Sequence, residues 1–501
     1  MQKKLEELKK RLMEVNDLNM IGSLLSWDQS TYMPPGGGAA RARQRSTLAR
    51  IAQEKFTDPA IGKLLEDLLP YEEDHPYDSD EASLIRIARR EFERYVKIPP
   101  EFMERFYRHR GQTYQIWTKA RSANDFSAVQ PYLEKTLDMS REMANYFPGY
   151  EHIADPLIDY HDFGLKASTI KALFNELRDK LLPILNAITS RPLADDSCLN
   201  QNFPEEQQLA FGQQVVKDLG YDFNRGRQDK THHPFTTKFS LGDVRITTRV
   251  KQDFFGECLF STIHESGHAM YEQGINMDYE GTPLARGTSS SVHESQSRLW
   301  ENVVGRSRGF WECYYPKLQD VFPNQLGTTP LDTFYKAINK VKPSLIRTDA
   351  DEVTYNLHVM LRFDIELALL EGDLSIRELP EAWRARYQSD LGITPPDDRD
   401  GVLQDVHWFD FVIGGAFQGY TLGNILGALF FESTLKAHPE IPDEISQGKF
   451  DTLLTWLTEN IYQHGRKFTT TELVERITGG PISVDPYIHY LRHKYEELYN
   501  L

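Results

Sequence analysis

Apolar residues recur at three- to four-residue intervals along most of this chain, and that periodicity restricts it to helices packed on helices. Leu5, Leu8, Leu12 and Val15 set the pattern, and the run ends at the breaker Met33-Pro34-Pro35-Gly36-Gly37-Gly38. Helical patterns follow over Glu81 to Tyr95, Phe102 to Ala120, Pro131 to Asn145, Ala167 to Ile188, Glu205 to Leu219, Leu331 to Ile338 and Val353 to Glu371. The breaks are short and polar, as at Tyr71 to Ser79 and Pro192 to Asn202. With no internal repeat and no Gly/Ser- or Pro-rich linker, one mainly α, elongated body spanning residues 1–501 is expected. A single segment departs from the period. From Pro234 to Val250, Phe239, Leu241, Val244, Ile246 and Val250 alternate around Leu241-Gly242-Asp243, which predicts a small hairpin.

Charge and cysteine usage narrow the function classes. With 57 basic and 74 acidic residues the net charge is −17, which disfavours nucleic acid and anionic membranes as partners. Cys198, Cys258 and Cys313 form no CxxC pair, so neither a disulfide framework nor a thiolate metal site is expected. The basic N-terminus is broken by glutamates rather than followed by an apolar run, and no stretch approaches about 20 apolar residues. A soluble, cytoplasmic protein is the expectation.

The segment that names a chemistry is His264-Glu265-Ser266-Gly267-His268. Two imidazoles four residues apart share one helix face and can hold one metal ion, while the intervening carboxylate serves as a base without binding it. Leu259, Phe260, Ile263, Met270 and Tyr271 supply a helical flank, with Gly274 as the C-cap. A catalytic zinc needs a third protein ligand. The extended form HExxHxxGxxH is excluded, because Tyr271 and Gly274 stand where Gly and His are required. A carboxylate on a following helix is therefore required, from Glu272, Glu280, Glu294 or Glu301. Glu294, 26 residues beyond His268, is preferred, although Ser291-x-x-Glu294 reads equally well as a capping box.

The flanking residues carry a resemblance. His233-Pro234-Phe235, Asp243-Val244-Arg245-Ile246-Thr247 (DxRxT), His293-Glu294-Ser295-Gln296 (HESQ), Ile346-Arg347-Thr348-Asp349-Ala350-Asp351 (IRxxAD) and Gly401-Val402-Leu403-Gln404-Asp405-Val406-His407-Trp408 (GxxQDxHW) occur in order around HExxH. Trp27-Asp28 through Met33-Pro34 and Gly36 extends the likeness to the N-terminal region. Together they resemble the thermostable metallocarboxypeptidases typified by carboxypeptidase Taq. The resemblance implies a helical fold with a deep central cleft between two lobes, similar to angiotensin-converting enzyme and neurolysin, with short strands beside the metal. It implies His264, His268 and Glu294 as ligands of one divalent metal, zinc or alternatively cobalt, and Glu265 as the base. It further implies removal of C-terminal amino acids of broad identity, Pro excepted, by a homodimer.

For the tetrahedral oxyanion, resemblance and residue chemistry point to His407 and Tyr420 as donors. Reading a chain end requires a fixed cation, for which Arg347 is the choice and Arg245 the runner-up, the latter also suiting a structural salt bridge to Asp243. Asp349, Asp351 and Asp405 are expected to orient the site, since a metal-bound His needs an acceptor behind it. An oligopeptidase or dipeptidyl carboxypeptidase is the alternative reading, and a non-catalytic helical scaffold the remote one.

Overall fold

A computed structural model describes residues 1–501. Helices take 67% of the chain and strands 3%, so the architecture is mainly α. The N-terminal part is built from α1 (Gln2–Thr31), α2 (Gly38–Phe56), α3 (Pro59–Glu73) and α4 (Asp80–Lys97). Asp58 starts α3 by accepting the Ala60 N–H at 2.8 Å, and Ser79 starts α4 by accepting from Ala82 at 3.3 Å. Helix α2 escapes the periodicity because it buries only Ala52 and Phe56. Next come α5 (Pro100–Ala123), α6 (Phe126–Asn145), the single turn α7 (Asp155–Ile158), α8 (Ala167–Thr189) and α9 (Glu205–Leu219). Helix α6 begins five residues before the expected Pro131, because Asp125 caps it through the Ala128 N–H.

Two apolar cores result. Leu5, Leu8, Leu12 and Val15 of α1 join Ile61, Leu65 and Leu68 of α3 and Leu84, Ile85, Ile87 and Ala88 of α4 in a cluster of 17 buried residues. A second cluster of 101 unites the remainder. The hairpin touches both: Leu241 at its turn lies in the smaller core, Val244 and Ile246 in the larger. Strand β2 (Thr236–Ser240) pairs antiparallel with β3 (Asp243–Thr248), as the alternation predicts. A third strand, β1 (Gln228–Lys230), runs parallel to β3, giving the order β1-β3-β2 with β2 at an edge. Its three residues are too few to show a period. No helix is long and apolar enough to cross a membrane.

The HESGH segment lies in α10 (Phe255–Gln273), and HESQ in α11 (Ser290–Arg298), whose end opens into a π-helix over Leu299–Val304. These two helices meet at Gly267, where a Cβ would come within 2.7 Å of both the Gln296 carbonyl oxygen and the Ser297 Cα. The helix Gln418–Ala437 crosses α11 in the same way, a Cβ at Gly423 falling 2.5 Å from Cγ of Glu294. Gly274 caps α10 with an ordinary φ of −82°, and its missing Cβ makes room for the Tyr462 ring.

Candidate active site

Helix α10 places His264 and His268 one turn apart, ring centroids 5.0 Å from each other. Glu294 faces both from α11, its Oε2 lying 3.8 Å from His264 Nε2 and 3.4 Å from His268 Nε2. The capping-box alternative for Glu294 does not form. Ser289, not Ser291, is the N-cap and accepts the Val292 N–H, which puts Glu294 in the second turn with its carboxylate free to converge.

Each histidine has its other nitrogen engaged. His264 Nδ1 lies 2.9 Å from Glu301 Oε2. His268 Nδ1 lies 2.6 Å from His293 Nδ1, and His293 Nε2 meets Glu272 Oε1 at 2.9 Å. Lys238 of β2 closes that chain on Glu272. These contacts, rather than Asp349, Asp351 or Asp405, supply the acceptors behind the metal-binding histidines; Asp405 orients the site through Arg347. Asp351 instead caps the turn before the helix Tyr355–Glu371 by accepting from Val353 and Thr354. Of the four glutamates weighed as ligands, only Glu280 lies apart, accepting the Leu241 N–H at the hairpin turn.

Electrostatics suit a cation. Burial opposes ionisation of Glu294, but Arg298, bonded to it at 2.7 Å, and the two imidazoles hold it well below the usual carboxylate range. Burial lowers His268 to about 4, leaving a neutral imidazole with a free lone pair. Two imidazole nitrogens and one carboxylate oxygen within 4.8 Å of one another form the donor set of a catalytic zinc site, whose ligand atoms about 2.0–2.1 Å from a shared ion stand roughly 3–4 Å apart. The residues fit the group.

Glu265 is buried beside this triad. Its Oε2 accepts the hydroxyl of Thr236, on edge strand β2, at 2.7 Å, and burial raises its pKa. His407 and Tyr420 meet each other: Nε2 lies 3.0 Å from Oη, while His407 Nδ1 is 3.3 Å from Asp405 Oδ1. Tyr420 is three residues before Gly423, on the helix that rests on Glu294, and burial pushes its phenol up, so it keeps its proton.

The two arginines have different neighbours. Arg347, 6% exposed, lays its Nε and Nη2 on Asp405 at 3.1 and 2.8 Å, donates Nη1 to the Tyr355 hydroxyl at 3.0 Å and stacks 5.0 Å from the Tyr420 ring centre. Asp405 is shared with the fully buried Arg362 at 2.6 Å, and Gln404 Oε1 bridges the Arg347 N–H and Arg362 Nη2. Arg245 has its fork filled by Asp243, two bonds of 2.8 Å, and lies between Trp27 and Phe239.

A family model described as carboxypeptidase Taq (M32) metallopeptidase matches residues 7–495. The chain is 41% identical over 494 residues to thermostable carboxypeptidase 1 of Thermus thermophilus, covering 96% of each. It is 36% identical over 482 residues to carboxypeptidase 1 of Bacillus subtilis, covering 96% of this chain and 95% of that one. The crystal structure of the M32 carboxypeptidase from Deinococcus radiodurans matches with a TM-score of 0.97 at 47% identity, over 100% of both chains. This chain belongs to the carboxypeptidase Taq (M32) family. It is a metallocarboxypeptidase, and so acts on peptides with a divalent metal; the scaffold reading falls away.

Some residues of this metallocarboxypeptidase's site escape a reading of motifs. Arg298 stands four residues after Glu294, a one-face spacing that is itself a signal, and Glu301, a candidate ligand by sequence, instead backs His264. Thr236 carries no such mark, because only the hairpin's docking on α10 brings it to Glu265. Gly267 and Gly423 signal nothing until the helices cross.

Proposed function

We propose that His264, His268 and Glu294 hold one divalent metal, zinc with cobalt as the alternative, and that Glu265 is the general base of C-terminal residue removal. Bound there, the metal would supply Lewis acidity, lowering the pKa of a water toward about 7 and polarising the scissile carbonyl. Glu265 takes the proton of the attacking water and returns it to the leaving amine; the Thr236 hydroxyl on Oε2 keeps Oε1 turned to that task. Tyr420 and His407 donate to the developing oxyanion, Tyr420 through a phenol that stays protonated. Edge strand β2 offers unpaired backbone groups to an extended substrate.

Arg347 is proposed to read the substrate's terminal carboxylate, with Arg245 the runner-up. Arg347 shares its neighbourhood with the His407 and Tyr420 pair; Asp405 holds its Nε and Nη2 and Tyr355 takes one Nη1 proton, which leaves the second Nη1 N–H for a substrate carboxylate. The substrates are peptides ending in residues other than Pro. One catalytic unit spans residues 1–501 with two lobes flanking the cleft, and the enzyme is a homodimer of the cytoplasm, a compartment consistent with three free cysteines.

The convergence of His264, His268 and Glu294 beside Glu265 carries this reading. Digestion of a defined decapeptide tests it. Products shortened one residue at a time from the C-terminus are expected; release of dipeptides, or internal cuts, would favour the dipeptidyl or oligopeptidase alternative.

A further inference from the structure

Away from the metal, α4 presents a row of guanidinium groups with no carboxylate partner. Arg86, Arg90 and Arg94 are spaced four apart and share one helix face. They line a cavity of about 500 Å³ walled by α4, the segment Phe147 to Lys166 and the turn Lys467 to Glu472. Arg86 donates only to the carbonyls of Tyr77 and Lys467 and to the Ser83 hydroxyl. Arg94 donates to the Pro156 carbonyl and leaves a buried Nε unpartnered. Arg90 makes no hydrogen bond or ion pair, lying flat on Phe163 with its carbon 4.1 Å from the ring centre. Tyr77 and Tyr160 support Arg86 and Arg94 in the same way.

This is the opposite of what charge neutralisation would produce in a chain with 17 more acids than bases. On other faces of α4, Arg89 pairs with Glu72 and Glu91 with Arg466. The acids in the cavity wall are otherwise engaged or turned out. Asp155 accepts from the backbone of His152 and Ala167 with Lys166 at 3.7 Å, Asp159 accepts from Gly164, Glu472 is held by Tyr77 and Thr469, and Glu93 is exposed. Like charges one turn apart repel, the stacked aromatic faces fix the guanidinium planes, and the whole N–H edge of Arg90 and the Nε of Arg94 are left without an acceptor. Burial, with Arg466 and Arg86, lowers Arg90 to about 10 even though Glu91 and Asp159 oppose the shift.

We propose that this cavity binds an oxyanion of phosphate or carboxylate type through Arg86, Arg90 and Arg94. The anion is either a free ion or an acidic side chain of a peptide substrate, and guanidinium forks suit both. Its walls lead to the metal site. Thr470 donates to Ser289, the cap of α11, and the Ser291 N–H donates to Asp162 of the segment Phe147 to Lys166, so an anion joining α4 to these walls braces the helix that carries Glu294.

The test uses the metal-loaded, full-length enzyme in two arms. Thermal unfolding is compared in sodium phosphate and in sodium chloride of equal ionic strength, and kcat/KM is compared for peptides that differ only by Glu or Gln upstream of the cleaved bond. A free-ion site raises the midpoint in phosphate by about 2–4 °C over chloride. A side-chain site instead gives a preference for Glu of roughly fivefold or more. In either case Arg90→Gln abolishes the response while hydrolysis of neutral peptides is unchanged, and Arg90→Lys keeps part of it. Arg94→Gln serves as the second variant should Arg90→Gln unfold. Identical behaviour in phosphate and chloride together with equal cleavage of both peptides would overturn the proposal, as would a response that survives both substitutions.

Discussion

Thr236 donates its hydroxyl to Oε2 of Glu265 at 2.7 Å, tying the edge strand to the proposed base. The Thr236 Oγ1 also lies 2.8 Å from the Glu265 carbonyl oxygen, so one hydroxyl shared between the two acceptors links strand, helix and carboxylate. Thr236→Val keeps the shape and removes the donor. A loss of about 10–100-fold in kcat with full metal content is expected, by analogy with groups that orient metal-site residues. The acidic limb of the pH profile should also move up, because the bond from Thr236 lowers the Glu265 pKa against burial. Steady-state kinetics across pH with metal analysis checks both; an unchanged profile would remove Thr236 from the site.

Gly423 is where the helix bearing Tyr420 rests on Glu294, and a Cβ there would lie 2.5 Å from Glu294 Cγ and 2.7 Å from its Cβ. Gly423→Ala should therefore displace the proposed ligand. We expect weaker metal retention together with about 1–3 kcal/mol of destabilisation from overpacking. Gly22→Ala, in open space on α1, is the control: it should leave metal retention unchanged and stabilise by up to about 1 kcal/mol through helix propensity, the opposite sign to Gly423→Ala. Metal content after dialysis and denaturant titration report the two effects separately.

Glu366 is buried against the Trp408 indole, 2.8 Å from Nε1, and burial raises its carboxyl to about 7. A carboxyl with a raised folded pKa contributes fully below its unfolded value of about 4.3, and the contribution is lost as pH rises through the folded value. The wild type should thus lose on the order of 3 kcal/mol between about pH 4.5 and 8 from this group. Glu366→Gln should flatten that part of the curve. Urea titrations at several pH values measure it, and an equal slope in both proteins would show that Glu366 titrates normally.

Arg347 can be removed without stranding Asp405, which keeps Arg362 at 2.6 Å. Arg347→Ala should therefore fold and reduce kcat/KM on free-acid peptides by roughly 30-fold or more, the loss typical of one partner of a buried ion pair. On C-terminally amidated peptides the wild type should already be poor and the substitution should cost little. Equal damage to both substrate types would make Arg347 an organiser of the site and favour Arg245.

Periodicity and spacing made much of this molecule legible. Glu205 to Leu219 and Leu331 to Ile338 are helices with the bounds that their apolar patterns predict, because each packs a single stripe against a core. Periodicity does not bring out α2, which buries little, or α3, whose short stripe Ile61, Leu65 and Leu68 runs into Pro70 inside the helix. HESGH announced itself because one helical turn fixes its geometry, whatever surrounds it. The residues behind the histidines did not, since His293 reaches His268 and Thr236 reaches Glu265 only after separate elements dock. Nor does any sequence pattern reveal that the Arg347 fork is already filled by Asp405.

The division of labour between Glu265 and Glu294 is tested most directly by measuring metal per chain and hydrolysis in Glu265→Gln and Glu294→Gln side by side. Glu265→Gln should retain the metal of the parent and lose hydrolysis, since Gln keeps the shape but accepts no proton at neutral pH. Glu294→Gln should lose metal, and chelator-treated parent should behave like it: folded, because three ligands on two helices join an already packed core of 101 residues, but inactive. Equal metal loss in the two variants, or hydrolysis that persists in Glu265→Gln, would contradict the assignment of base and ligand.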